Sequence, residues 1–505
     1  MKPLWSDERA LPTFDAQNLE GRFDVAVVGA GLTGLVTALL LARRGHRVVV
    51  LEARAVGSGT SGATTAKATV LQGTRASSIA AKHPRETVQQ YLAGNRFGLD
   101  WLVRFCTRNA VPFQRPSAVT YAPTNAELDR VQSEYDLLLT LGVDVRWSDT
   151  ARVPFDFAGG VEVPEQLQCD PVDLLTAIAD QARKAGVTLA TGQRVTDIGT
   201  DRDPQVRTVH GTVKADRVVL ATGIPIADRG GFFARVVPER SYLVAVYDPE
   251  AEPLDMYWAA STPVRSIRTV PAGEGQWILV GGNSHQVGRA ESEAANVEDL
   301  RLWALRHFGG NVTHAWGAQD YHPIDELPYV GPLLPTSDRV LIASGFAKWG
   351  MTNAVAAGAV LAGHFGGAMP PWAKAYASWS THELAGAAAG VGHNVRAMTD
   401  MAKDRIAALT TSTKTPEEGT GCVARRGGQP VATSTVGGHT RSVSATCPHM
   451  GGLVHWNDAE LTWDCPLHGS RFTAAGELLE GPATSDLAAV EEDDADAGMP
   501  EVGSD

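Results

Sequence analysis

Apolar and polar positions in the first part of the chain follow the rhythm of strand, helix and strand. Residues 23–52 open with FDVAVVGAG, an apolar run with the composition of a buried parallel strand. They continue with LTGLVTALLLARRGH, helical in pattern and ending near Gly45, and close with RVVVLE, a second buried strand. The three segments predict one βαβ unit. Farther on, Thr124 and Glu127 have capping-box spacing, and Leu128, Val131, Tyr135 and Leu138 continue it at helical intervals. Residues 171–222 predict a helix from Pro171 to about Lys184, a strand near VTLAT and a strand in DRVVLATG. From about 238 to 282 the pattern changes to short runs, SYLVAVY, SIRTV and QWILVGG, punctuated by Pro and Gly, which predict a more antiparallel, substrate-facing sheet. An apolar stripe at Val391, Val395, Met398, Ala402, Ile406 and Leu409 predicts a helix leading into the linker-like TTSTKTPEEGTG, and Gly-rich short strands follow to about residue 490.

A chain of 505 residues is long enough for two or three folded units. Its formal charge of -13 argues against general nucleic-acid binding, although Glu491, Glu492, Asp493, Asp494 and Asp496 concentrate part of it in a tail. Five scattered cysteines do not form a disulfide framework, which fits a reducing compartment. The N-terminal MKPLWSDERALPTF lacks the apolar stretch of a secretory signal, and no run reaches the roughly 18 apolar residues of a membrane span. The expectation is a cytoplasmic protein with no transmembrane segment and no nucleic-acid partner.

Gly29, Gly31 and Gly34, in GAGLTG, fall at the junction of the first strand and its helix, and Glu52 ends the second strand 18 residues after Gly34. Each position has a geometric reason. Gly29 permits the tight turn, Gly31 lets backbone approach a pyrophosphate, Gly34 allows helix to pack on strand, and the helix N-terminus faces phosphate charge. Glu52 can accept hydrogen bonds from a ribose hydroxyl. The motif alone does not choose between NAD and FAD. With a single fingerprint, the chain lacks the second nucleotide site of an NAD(P)H-to-flavin reductase. The stretch IASGFAKWGMTNAVAAG (342–358) also sets Gly-rich backbone ahead of a small-residue helix, whose N-terminus could neutralise the anionic edge of a reduced flavin.

These segments resemble the D-amino-acid oxidase and glycine oxidase superfamily of FAD enzymes over roughly residues 20–370. The resemblance rests on GAGLTG, Glu52 with Arg54, GSGTSGATTAK (57–67), the Asp170-Pro171 helix leading to Val195, the Ala-Thr-Gly turn of DRVVLATG, and GFAKWGMT (345–352). It implies FAD contacts from Gly29, Ala30, Gly31, Leu32, Thr33, Gly34, Glu52, Ala53, Arg54, Thr60, Thr65, Val195, Ala221, Thr222, Gly223, Gly345, Trp349, Gly350, Met351 and Thr352. It also implies a Rossmann-type α/β FAD-binding domain with an inserted, mainly antiparallel β substrate domain. In that family a carbon bearing nitrogen gives up a hydride to the flavin.

Near the C-terminus, Cys447-Pro448-His449 and Cys465-Pro466-Leu467-His468 pair thiols with imidazoles, with 15 residues between His449 and Cys465. Two thiolates and two imidazoles can hold zinc in a tetrahedron, or can place two Cys on one iron and two His on the other iron of a [2Fe–2S] cluster. The loops CPHMGG and CPLHGSRF and the tail AAGELLEGPA resemble Rieske domains over about residues 416–490. That likeness implies an all-β domain. Where quinol-oxidising Rieske proteins carry a disulfide between the two loops, this chain has Gly452 and Leu467, and Cys422 is not placed to replace either. Ser470 can still offer a hydroxyl to a cluster sulfide, whereas Phe472 stands where a tyrosine hydroxyl would reach a ligand sulfur. Fewer hydrogen bonds to sulfur predict a potential towards the low end of the roughly -150 to +300 mV range of His-ligated clusters.

The organisation expected is an N-terminal extension (1–22), an FAD-dependent oxidoreductase domain (23–370, substrate layer about 238–330), a helical connector and linker (371–415), a Rieske domain (416–490) and an acidic tail (491–505). Lys348 in GFAKWG, and Arg240 and Tyr242 in PERSYLV, are the candidate catalytic residues: a lysine beside the flavin, a guanidinium for a substrate carboxylate and a phenol as hydrogen-bond donor. His285, His314 and His322 read as surface or loop residues, and Trp316, Gly317 and Asp325 as structural ones. The leading expectation is a dehydrogenase that oxidises a small amine or amino acid at FAD and passes electrons singly through the cluster to an external carrier, ferredoxin-like or a quinone. Two alternatives stand beside it: inward flow from a ferredoxin or reductase through the cluster to FAD, and a redox carrier or sensor without a substrate.

Overall fold

The computed structural model describes residues 1–7, 9–15, 19–199, 204–380 and 415–490, with Thr399 and Lys403. The helix predicted over 391–409, those two residues apart, and the acidic tail lie outside the described residues. Among the described residues no helix is long and apolar enough to cross a membrane.

The βαβ unit forms as its pattern dictates. An eight-stranded sheet carries parallel strands in the order Thr188–Ala190, Val48–Leu51, Arg22–Val28, Gly211–Leu220 and Ser337–Ser344. Val25 and Val27 enter the core on one face of the sheet, and Ala26 and Val28 enter the core on the other. Burial on both faces explains why this strand reads as a continuous apolar run rather than an alternating one. The helix Leu32–Ala42 packs on the helix Gly350–Gly363 so closely that a Cβ on Gly358 would lie 2.8 Å from Val36 Cγ1. Leu35, Val36 and Leu39 are fully buried there, each worth about 1.5–3 kcal/mol against exposure. These contacts hold both helix N-termini at the same end of the sheet, beside the GAGLTG turn.

The second layer is an eight-stranded sheet in the order Asn311–Pro323, Val236–Asp248, Gly275–Gln286, Arg265–Ala272, Met256–Ala259, Ala118–Ala122, Gly159–Val163 and Arg146–Ser148. All neighbours are antiparallel except Met256–Ala259 with Ala118–Ala122. The expected layer at 238–330 therefore supplies five strands, and three more come from 118–163. Those three are split by the capping-box turn at Thr124 and the helix Leu128–Thr140, which hid their common sheet from the local pattern.

The C-terminal unit has two small antiparallel sheets, Gly421–Arg426, Gln429–Val436 and His439–Ser444 in one, and His455–Asn457, Thr462–Asp464, Arg471–Thr473 and Leu478–Glu480 in the other. They close over a core of Ala432, Val443, Leu453, Trp463, Phe472 and Leu478.

Candidate functional site: a dinucleotide cavity walled by a cysteine and histidine domain

The turn Gly29–Gly31 is built from close approaches. Gly29 has φ +101°, and a Cβ there would lie 2.6 Å from the Ala221 carbonyl oxygen, so only glycine fits. A Cβ on Gly34 would come within 2.0 Å of the Gly29 carbonyl, which is the helix-on-turn packing anticipated for the third glycine. The Glu52 carboxylate accepts from the backbone N–H groups of Ala30 (2.8 Å) and Arg54 (2.9 Å), tying the end of the second strand to the turn. Ser61 Oγ accepts from the N–H of Leu32 at 3.0 Å, so a hydroxyl holds one amide of the helix's first turn.

An elongated cavity begins at this turn and continues between the two sheets. Gly29, Gly31, Leu32, Thr33, Glu52, Ala53, Arg54, Thr60, Thr65, Val195, Ala221, Thr222, Gly223, Gly350 and Met351 line it. The structure does not bring five of the candidate cofactor residues to the cavity wall. Ala30 gives its N–H to Glu52 and its carbonyl accepts from the N–H of Gly57, and Gly34 packs behind the turn. Gly345, at φ +79°, shapes the loop against Pro323. The Trp349 ring lies on Trp258 with centroids 4.8 Å apart, and the Thr352 hydroxyl is committed to Asn95 Oδ1 at 2.6 Å. Gln193, Arg194, Gln319 and Tyr321 line the cavity without having been singled out in the sequence, because only the tertiary fold carries them there.

At the far end of the cavity lie Tyr242, Trp258, Ser266, Ser284, Phe346 and Lys348. Lys348 is held rather than free: it has φ +74°, its N–H donates to the Asp320 carboxylate at 2.5 Å, and its ammonium pairs with Glu239 at 2.9 Å and reaches Ser284 Oγ. Burial alone would raise the Glu239 pKa, but Lys348 and then His322 outweigh it and hold the carboxyl below its usual range. Behind this wall Lys67 is buried, donating to the Tyr257 carbonyl (3.2 Å) and to Ser266 Oγ (2.5 Å). Burial first, and the cation of Arg268 second, bring its pKa down to about 7.

Arg240 lies elsewhere. It is 2% exposed and does not line the cavity; its guanidinium pairs with Glu460 of the C-terminal unit. The carboxylate-binding role expected of it is therefore filled within the chain. Tyr242 does face the cavity, but its hydroxyl accepts from Asn457 Nδ2 at 3.2 Å. Around these two residues Arg471 joins Glu460 (3.1 Å), Asp464 (3.1 Å) and Glu480 (3.3 Å). Burial would raise the Asp464 pKa, yet Arg471 and Arg240 keep it below the ordinary range. Gly317 sits under this network, where a Cβ would lie 2.6 Å from an Arg240 nitrogen. Trp316 donates to the Ala63 carbonyl and Asp325 accepts from Tyr329. The three histidines have partners that sequence spacing left open: His285 lies 3.9 Å from Glu293, His314 3.2 Å from Asp7 and His322 3.2 Å from Glu326.

The four C-terminal donors converge in two pairs. Cys447 and Cys465 hydrogen-bond to each other, and the Nδ1 atoms of His449 and His468 are 3.1 Å apart. The Cys465 thiol, with the N–H groups of His449 and Met450 and the Ser470 hydroxyl, draws the Cys447 pKa down to about 7 against the effect of burial. The N–H groups of Leu467 and His468 face Cys465. Among the described residues no three His, Cys, Asp or Glu side chains gather around one ion position. A thiol pair beside an imidazole pair fits a two-iron cluster, cysteines on one iron and histidines on the other. Inward N–H groups complete a cradle for cluster sulfur.

Comparison with known proteins agrees with both halves. Residues 24–363 match the family described as FAD dependent oxidoreductase (DAO), and residues 407–491 match the Rieske [2Fe-2S] domain. The chain is similar to the protein YhfW of Bacillus subtilis (strain 168), at 28% identity over 496 residues, 97% of each chain. Glycine oxidase from Geobacillus kaustophilus shares the fold with a TM-score of 0.58 and 25% identity, over 68% of this chain and 94% of that one. A 59-residue stretch is 42% identical to the chloroplastic cytochrome b6-f complex iron-sulfur subunit of Arabidopsis thaliana, 12% of this chain and 26% of that one.

Proposed function

From the premise that the chain belongs to the DAO family of FAD-dependent oxidoreductases and carries a Rieske [2Fe-2S] domain, we propose that it is a dehydrogenase acting on the C–N bond of a small amine or amino acid. FAD supplies a two-electron acceptor for a hydride, and the cluster a one-electron relay towards an external ferredoxin-like or quinone carrier. The observation that carries this reading is the shared wall. Leu479, Glu480, Gly481 and Ala483 of the Rieske domain line the same cavity as the GAGLTG turn, and this cavity shared by the two cofactor-bearing units supports a relay within one chain.

The protein's own groups divide the work. Gly29, Gly31 and the first turn of the following helix receive the pyrophosphate, and Glu52 holds the ribose end. Cys447, His449, Cys465 and His468 hold the cluster. At the other end of the cavity the Lys348 ammonium, balanced by Glu239, takes the position for a substrate carboxylate that Arg240 does not occupy. The hydroxyls of Ser266 and Ser284 offer acceptors to an amine, and Trp258 with Phe346 supplies apolar walls that exclude water. Anaerobic mixing with a panel of amines and amino acids, following flavin absorbance and the Rieske EPR signal together, tests the reading. A substrate that bleaches the flavin and then raises the cluster signal supports it. Bleaching only by a reduced ferredoxin, through the cluster, would reverse the direction of flow.

A further inference from the structure

The Rieske domain does more than lie next to the flavin domain. Its last strand, Leu478–Glu480, and the turn that follows reach into the cavity at the end where Glu52, Arg54 and Arg194 stand. Arg194 donates to the Leu478 carbonyl at 2.9 Å, and Gly481 lines the cavity together with Ile226, so this segment is hydrogen-bonded to the nucleotide half and shares its wall. It is equally tied to the cluster loops. The N–H of Ala483 donates to Ser470 Oγ at 2.9 Å, and the Ser470 hydroxyl in turn faces Cys447. One short segment thus touches the dinucleotide cavity on one side and the cluster cradle on the other.

Polar contacts hold the two domains in this position. Arg240 meets Glu460, Gln319 donates to the Gly469 carbonyl at 2.8 Å, Gln286 donates to the Pro466 carbonyl at 3.2 Å, and Asp458 accepts from Ser292 at 2.7 Å. In the pair Arg240 and Glu460 the guanidinium is buried and the carboxylate largely so, and charges left unpaired there are costly. We propose that the Rieske domain is a structural part of the FAD site: residues 479–483 close the nucleotide end of the cavity, and retention of FAD depends on the docked, cluster-bearing domain. The proposal rests on the reading that FAD occupies this cavity.

The test uses the full-length holoprotein, stripped of FAD and titrated with FAD while flavin fluorescence is followed. Glu460→Arg sets a third cation against Arg240 and Arg471 and drives the domains apart, and small-angle scattering reports the separation. The FAD Kd is expected to rise about tenfold or more while the Rieske EPR signal persists, and to return towards the original value in the charge-swapped R240E/E460R chain. Leu479→Ala, which thins the cavity wall without touching the ion pair, is expected to raise the Kd in the same direction. A Kd within about twofold of the parent in both E460R and L479A overturns the proposal. A parent chain that binds no FAD, or whose affinity is indifferent to Glu52→Gln, would instead sink the assignment of the cavity to FAD.

Discussion

Lys67 is buried beside the cavity with two neutral acceptors, and its nearest charge, Arg268, is another cation. Its pKa falls from 10.5 to about 7, chiefly through burial. Below about pH 7 the folded and unfolded chains both hold the proton, so the full cost of a buried ammonium opposes folding. Above about 10.5 both have lost it and the cost is gone. In between, the unfolded chain binds more protons, so stability rises with pH. The full difference corresponds to about 5 kcal/mol, of which about 2 kcal/mol is recovered between roughly pH 7 and pH 9. Lys67→Met removes this titration and keeps the stem's packing. Guanidinium unfolding of the parent and the variant, followed by tryptophan fluorescence at both pH values, reads the effect. The advantage of the variant over the parent should shrink by about 2 kcal/mol as the pH rises. A difference independent of pH would mean that Lys67 titrates as an ordinary lysine and that burial does not lower its pKa.

Three further outcomes follow from the site. Glu52→Gln keeps one acceptor for the N–H groups of Ala30 and Arg54 but loses the charge, and should raise the FAD Kd roughly tenfold by fluorescence titration. Cys447→Ser should abolish the Rieske EPR signal while most of the flavin absorbance remains, and a retained signal would exclude Cys447 as a ligand. With Phe472 buried in the core where a tyrosine hydroxyl would otherwise serve, redox titration should place the cluster towards the low end of about -150 to +300 mV; a midpoint well above about +200 mV would contradict this.

The parts of the site that the sequence announced are those built from neighbours in the chain. GAGLTG with Glu52, and the two Cys and His pairs, are local because turns and short loops set their geometry. The strand that carries Arg240 and Tyr242 is recognisable in the sequence, but the partners that their side chains meet, Glu460 and Asn457, lie more than 200 residues away. Lys67 carries no local sign of its burial for the same reason: its acceptors, at Tyr257 and Ser266, are 190 and 199 residues distant. The Rieske segment 479–483 belonged to the predicted all-β domain, yet nothing in its composition marks it as a wall of another domain's cavity. Periodicity reports which face of an element is buried, not what buries it.

The central claim, that flavin and cluster exchange electrons within one chain, is tested most directly by counting electrons. Anaerobic titration with a two-electron amine donor should require about 1.5 equivalents per chain for full reduction, two electrons for FAD and one for the cluster, and about 1 equivalent in the Cys447→Ser chain. If the parent chain stops at about 1 equivalent with its cluster still oxidised, the two sites do not communicate and the account is wrong.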